Sequence, residues 1–367
     1  MVVRPPSSLF ASLVPLFVGC SGGAPVSAPV VPLAPPPEGQ LVFASDRDGG
    51  MGVYAVASPG GPVTRIDPAD GAAWFPGPAS AGGVALLRVE DGPGDHHAEQ
   101  LFIHGATTTA VGPPARAVRN PAWTLDHTGV LFESSAEGFR DIYLGLPDGA
   151  AHRQTALAAG CYEPRPLSDG TRMVVVCSGR DPDLRVVPLG RDTPVADPVR
   201  LMERVGEDLR PTPGGSDGRL AFYGELDGQL GVWTVREDGL GAGPAWQPTD
   251  KLVLVADLAP EWSPDGHTLA VTLRRPTGPP VVRLLTFPGD GGAPVATARP
   301  IPGIPDDLAT EGPLWLSDGT LVLTVDSGDN ADIWRVDTRT GATEVWVDSG
   351  ATDWLPRWWP TKAKAAG

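Results

Sequence analysis

From residue 39 onward the apolar residues fall in short runs, bounded by Gly, Asp or Pro and rich in Val, Leu, Ile and aromatic side chains. LVFAS, VALLRV, VLFESS, MVVVCS, LAFYGE, LAVTL and LVLTV are the clearest of them. None extends over three turns with a 3.6-residue period, so strands are expected almost throughout and no amphipathic helix. Gly and Pro, 47 and 42 in number, recur between these runs rather than in a block. That is the placement of turn residues, not of a disordered chain.

The runs belong to a repeat of about 43 to 53 residues, the period of propeller blades. One marker is a strand ending near an aromatic before a turn: NPAWTLDHTG (Trp123), APEWSPDGHT (Trp262), GPLWLSDGT (Trp315), LPRWWP (Trp358) and AAWFPGP (Trp74), with EPRPLSDGT and RPTPGGSDG placing Pro166 and Pro213 in the same column. The seven runs above follow as second strands. GVYAV, QLFIH, DIYLG, GVWTV and DIWRV, and more weakly DLRVV and VRLLT, are third strands, and short segments such as PVTRI and TEVWV are fourth strands. The expected fold is all-β: a seven-bladed β-propeller of four-stranded antiparallel blades over residues 39–360, with six or eight blades as the alternatives. The first unit starts at its second strand with Leu41, and the chain finishes with an orphan first strand, TDWLPRWWP, at residues 352–360. Joined, they complete one blade, which removes an exposed sheet edge and closes the ring.

Residues 1–19 have the layout of a signal peptide, with one positive charge at Arg4 and an apolar run from Leu9 to Val18. The run is too short to span a bilayer, which takes about 20 residues. Phe17-Val18-Gly19-Cys20 resembles the lipobox of bacterial lipoproteins, which implies an acylated Cys20 and, with Ser21 behind it in a Gram-negative cell, the outer membrane. Residues 20–38 read as the lipidated Cys and a Pro-rich linker, and residues 361–367 as a tail. With Cys20 so assigned, Cys161 and Cys177 remain as a pair flanking a hairpin centred on Asp169, where a disulfide is expected and two buried thiols are the alternative.

The net charge of −16 excludes the basic footprint that nucleic acid requires. It also excludes polybasic attachment to anionic lipid, so membrane contact would rest on the lipid anchor alone.

SDRDG (45–49), WSPDG (262–266) and DIW (332–334) resemble the repeats of TolB-type propellers, which also occur in the propellers of prolyl oligopeptidase relatives. The TolB-type architecture includes an α/β domain ahead of a six-bladed ring, for which the short linker leaves no room. The resemblance implies an envelope scaffold that docks a protein or peptide at the channel mouth, a peptidoglycan-associated lipoprotein being the partner it suggests.

The chemistry-bearing residues are sparse. Gly214-Gly215-Ser216-Asp217-Gly218 matches the nucleophile-elbow pattern without the strand–turn–helix context, and reads as a turn. His127 and His267 fall in turns between first and second strands, and His152 between third and fourth. His96 and His97, beside Asp95 and Glu99, are weak metal candidates in a loop between second and third strands. Asp326, Asp329 and Asp332 offer oxygen ligands to Ca²⁺ without EF-hand spacing, so no cofactor is assigned. Asp70, Arg119, Glu163, Arg210, Glu261, Glu311 and Arg357 stand just before or within the inner strands and are the binding-face candidates. No catalytic residue is assigned. The leading expectation is a non-enzymatic binding protein; the alternatives are a lyase or hydrolase on a saccharide or lactone with a channel-mouth metal, and a carbohydrate-binding module.

Overall fold

The structure is a computed structural model that describes residues 33–91, 97–191, 195, 197–249, 251–287, 298–328 and 330–361. The expected signal peptide, Cys20 and most of the linker lie outside these residues. Seven antiparallel sheets follow one another around a ring, which is the expected seven-bladed propeller. Six blades run inner to outer strand in chain order: Ala73–Ser80 to Thr108–Ala115 (blade II), Val118–Trp123 to Ala151–Arg153 (III), Cys161–Pro166 to Val199–Arg200 (IV), Asp208–Pro213 to Gly243–Trp246 (V), Val253–Leu254 to Arg299–Pro300 (VI) and Ala309–Trp315 to Thr343–Val347 (VII).

Blade I is composite. Its second to fourth strands, Gly39–Ser45, Gly52–Val56 and Thr64–Arg65, come from the start of the ring, and its inner strand is Asp353–Pro360. Leu41 pairs with Trp358 and Ser45 with Asp353. The seam is also held ionically. Buried Asp353 accepts from the Arg47 guanidinium at 2.8 Å and from the Ser349 hydroxyl at 2.6 Å, and the Thr352 amide donates to Asp46 at 2.9 Å.

The apolar runs are nearly continuous because second strands are buried on both faces. Alternate residues serve different cores. In blade I, Leu41 and Phe43 pack into the seam with blade VII, whereas Val42 packs with Trp74, Val84 and Leu86 of blade II. In blade III, Val130 and Phe132 face blade II and Leu131 faces blade IV. Seven apolar clusters result, one per seam, each drawn from two adjacent blades. Cys161 and Cys177 lie in the seam between blades III and IV, directly opposite one another, with their sulfurs 2.10 Å apart in a disulfide.

The tryptophan column stitches seams by hydrogen bonds as well as by area. The indole N–H groups of Trp123, Trp262 and Trp315 donate to the carbonyls of Pro78, Thr212 and Glu261 in the preceding blade, at 2.9, 2.9 and 3.1 Å. One expected member of the column is misplaced. Trp74 lies near the start of its strand, opposite Arg88, and Ala79, opposite Val84, takes the place that Trp123 holds opposite Val130. Matching by aromatic identity misaligned blade II, because strand pairing and not residue type sets the register.

A bulge interrupts the inner strand of six blades, and in blade VI the strand is split into Val253–Leu254 and Glu261–Trp262. Asn120, Glu163, Arg210, Gly312 and Leu355 occupy the bulge with φ of 49°, 56°, 55°, 61° and 53°, each immediately before a proline. A proline pushes its predecessor toward extended backbone, and a side chain at positive φ costs about 1–2 kcal/mol, so these bulges need external support.

Two expected outcomes follow from this architecture. A chain lacking residues 352–367 should lose at least about 3 kcal/mol in urea unfolding, the cost of removing one buried aromatic, since the ring then ends on an unpaired strand; an unchanged midpoint would refute closure by pairing. Gly312→Ala should cost about 1 kcal/mol through backbone strain alone. Its new Cβ meets nothing nearer than Pro356 Cδ at 3.7 Å, so equal stability would show that the bulge is not strained.

Candidate functional site

The inner strands line the axial channel, and the bulges place polar residues along it at different depths. Arg119 and Glu311 stand two residues before the strand proline, Glu163 and Arg210 one before it, and Glu261 and Arg357 one after it, toward the turns between first and second strands. Asp70 lies outside the strands, where its carboxylate accepts from Trp74 Nε1 at 2.8 Å and Arg88 Nε at 2.7 Å. The seven candidates thus form layers rather than a single rim.

Along blades II to VI a chain of hydrogen bonds and ion pairs links successive inner strands, although Arg119 Nε is buried without a hydrogen-bond partner among the described residues. Glu99 accepts from the Val118 amide at 2.8 Å, with Arg119 Nε at 3.6 Å. Glu133 accepts from the Asn120 side chain and, at 2.8 Å, from the Glu163 amide of blade IV. Glu163 in turn accepts from the Arg210 amide of blade V at 2.6 Å and pairs with its guanidinium at 3.0 Å. Arg210 Nε reaches the Ala256 carbonyl at 2.9 Å, and the Tyr223 hydroxyl donates to the Leu258 carbonyl at 2.7 Å, both in blade VI. Glu133 and Glu163 therefore each cap a strained bulge in the next blade, whereas Glu99 caps the start of an inner strand. Burial raises the Glu163 pKa, and the Arg210 guanidinium opposes the rise. Glu163 and Arg210 are consumed by this chain, which makes them supports of the channel wall.

The arc from blade VI to blade I is different. The hydroxyls of Thr272 and Thr324 are buried without a hydrogen-bond partner among the described residues. Thr324 pairs across the sheet with Glu311, whose carboxyl is pushed up to about 7 by burial and by the Asp326 charge. Glu261 is raised by burial, with Arg357 and Arg165 opposing the rise. Buried polar groups are almost always satisfied by protein, water or ligand, so these hydroxyls are hydrogen-bonding capacity that the described residues leave open.

Thr272, Thr324 and Arg165 were missed in the sequence reading. Arg165 was legible: it follows the recurrent inner-strand proline as Glu261 and Arg357 do. Thr272 and Thr324 sit in second strands whose apolar character hides them.

The remaining candidates do not converge. His96 and Asp329 lie outside the described residues. His97 bridges Asp91 and Glu99 at 2.6 and 2.7 Å. Burial lowers its pKa, and the two carboxylates reverse that to a net rise. Asp332, raised to about 6 by burial, accepts from Asn330 at 2.9 Å, and Asp326 accepts from the Gly328 amide at 2.6 Å. Among the described residues no three His, Cys, Asp or Glu side chains come together as a metal site. His152 belongs to the outer strand Ala151–Arg153 rather than to a turn, because its backbone continues the pairing with Leu144. Ser216 Oγ lies 3.3 Å from His267 Nδ1 in an exposed contact between blades V and VI, in a turn between strands rather than at a strand–helix elbow.

Glu311 allows a test of sign. Its pKa lies above the ordinary glutamate range, so stability is lost as pH rises from about 4.5 through 7, where the unfolded carboxyl ionises before the folded one. Glu311→Gln should therefore be more stable than the parent by about 3 kcal/mol at pH 8 and nearly equal at pH 4. A difference that does not depend on pH, measured by chemical unfolding, would contradict this assignment.

No protein-family model and no curated protein matches the sequence. Solved structures do. A puromycin-hydrolyzing peptidase of Mycobacterium tuberculosis superposes with a TM-score of 0.60 at 17% identity, covering 84% of this chain and 52% of its own. A puromycin hydrolase gives 0.57 at 16%, covering 86% and 54%. TolB from Acinetobacter baumannii gives 0.49 at 13%, covering 88% and 67%. The chain spans about half the length of the two hydrolases. At these identities the likeness is one of architecture: the chain is a seven-bladed β-propeller, similar in fold to the peptidase and the hydrolase over about half of their length.

Proposed function

We propose that the protein is a non-enzymatic binding module of the cell envelope, which docks another protein or a peptide through its axial channel. The observation that carries this reading is the asymmetry of the channel. One arc carries the chain of contacts from Glu99 to Arg210, and the other presents Glu261, Glu311, Arg357 and the buried hydroxyls of Thr272 and Thr324, which have no hydrogen-bond partner among the described residues. A ring held by seven apolar seams supplies a rigid frame for such a site. The envelope location rests on the signal-peptide layout and on the lipobox-like Cys20, which would hold the propeller at a membrane through a lipid. The partner class follows the TolB-type repeat resemblance, which implies an envelope protein such as a peptidoglycan-associated lipoprotein.

Selection of displayed random peptides on the purified protein, followed by photo-crosslinking of the enriched sequences and mass spectrometry, tests the reading. Crosslinks are expected on the inner strands, such as Ala309–Trp315 and Asp353–Pro360. Crosslinks confined to outer strands such as Ala151–Arg153, or no enrichment, would overturn it.

A further inference from the structure

Arg165 of blade IV, Glu261 of blade VI and Arg357 of blade I hold the same place in the repeat, directly after the inner-strand proline. These blades are not neighbours, so side chains there meet only across the channel. They do influence one another. Burial lowers the pKa of Arg357, the Glu261 charge opposes that fall, and the Arg165 charge adds to it. Burial likewise lowers Arg165, with Glu163 and Glu261 among the charges that shift it.

Neither guanidinium is used up. Arg165 and Arg357 each donate from one terminal nitrogen to the carbonyl of the proline just before, at 2.8 Å in both cases. A guanidinium carries five N–H donors. Among the described residues no carboxylate closes an ion pair on either one, and the nearby Glu163 is held by Arg210 at 3.0 Å. All three side chains are half-buried, so solvent and small groups reach them.

We propose that Arg165 and Arg357 form a site in the channel for a single carboxylate, carried by an extended peptide or by a small organic acid. The inference rests on the channel-docking reading and names the chemistry that the channel recognises. Two guanidiniums against the one carboxylate of Glu261 leave a single positive charge, which suits a monoanion. A dianion such as phosphate would exceed that charge and meet a stronger repulsion from Glu261 than a monoanion does. The planar fork of arginine matches the two oxygens of a carboxylate. Thr272, Thr324 and Glu311, on the arc from blade VI to blade VII, offer hydrogen bonds to the neutral polar part of the same ligand.

Calorimetric titration at pH 7 and fixed ionic strength tests this with three probes: acetate, the peptide Ac-Ala-Gly-Ala-Gly with a free carboxyl terminus, and the same peptide amidated. Saturable binding is expected for acetate, for the free-acid peptide or for both, with the amide at least about tenfold weaker than the free acid. Preference for acetate assigns the site to small acids; preference for the peptide assigns it to chain termini. The double variant Arg165→Gln/Arg357→Gln should bind at least about tenfold more weakly, and Glu261→Gln about threefold more tightly, an improvement that a merely structural role would not produce. Should the double variant fail to fold by circular dichroism, Arg357→Lys, which keeps the charge and loses the fork, should still weaken binding. Equal binding of the amide, no binding of either carboxylate, or indifference to the arginine changes would overturn the proposal. Display-selected peptides that bind the channel through neutral groups would leave the docking reading standing while removing this one. Acetate binding without any peptide selection would do the reverse.

Discussion

A four-stranded blade cannot bury either of its faces alone, and everything else in this protein follows from that constraint. Each second strand sends odd residues to one seam and even residues to the other, as Leu41 and Phe43 on one side and Val42 on the other show. No blade owns a core. The apolar clusters lie between blades, so each blade is stable only with neighbours on both sides. A ring is the arrangement that gives every blade two neighbours. This is why blade I is assembled from both ends of the propeller, with Asp353–Pro360 paired to Gly39–Ser45.

Ring geometry then sets the conditions at the axis. Inner strands converge there, bend at bulges, and in five blades hold the residue before a proline at positive φ. The carboxylates of Glu133 and Glu163 accept the amides of Glu163 and Arg210 in the following blade, which turns local strain into contact between blades. That use of charge is structural. On the arc from blade VI to blade I, where the inner strand of blade VI is split, no such chain of carboxylates runs among the described residues, and the hydroxyls of Thr272 and Thr324 stay without a hydrogen-bond partner there.

The distinction matters for reading charges in repeat proteins. Glu163 and Glu261 are both acidic residues of inner strands, and by sequence alone they are equivalent candidates. Glu163 stands before its proline, at the bulge, where it meets the next blade; Glu261 stands after its proline and faces the arginines across the channel. A shift of two positions along the strand changes a side chain from one bonded to the next blade into one without an ion-pair partner among the described residues.

Much of this fold was legible in the sequence because its signals are local. The second strands announce themselves as apolar runs between turn residues, their sevenfold recurrence sets the blade number, and the unmatched halves at Leu41 and Trp358 reveal the closing pair. Blade II shows the limit: Trp74 was matched by residue type to a column that backbone pairing assigns to Ala79. The site was legible only as a list of charged inner-strand residues. Which of them neutralise one another, which are stranded at different depths, and that Arg165 belongs with Glu261 and Arg357 were decided by the tertiary structure. Closing the ring brings residues nearly 200 positions apart to one axis, and no local pattern encodes which charges then meet there.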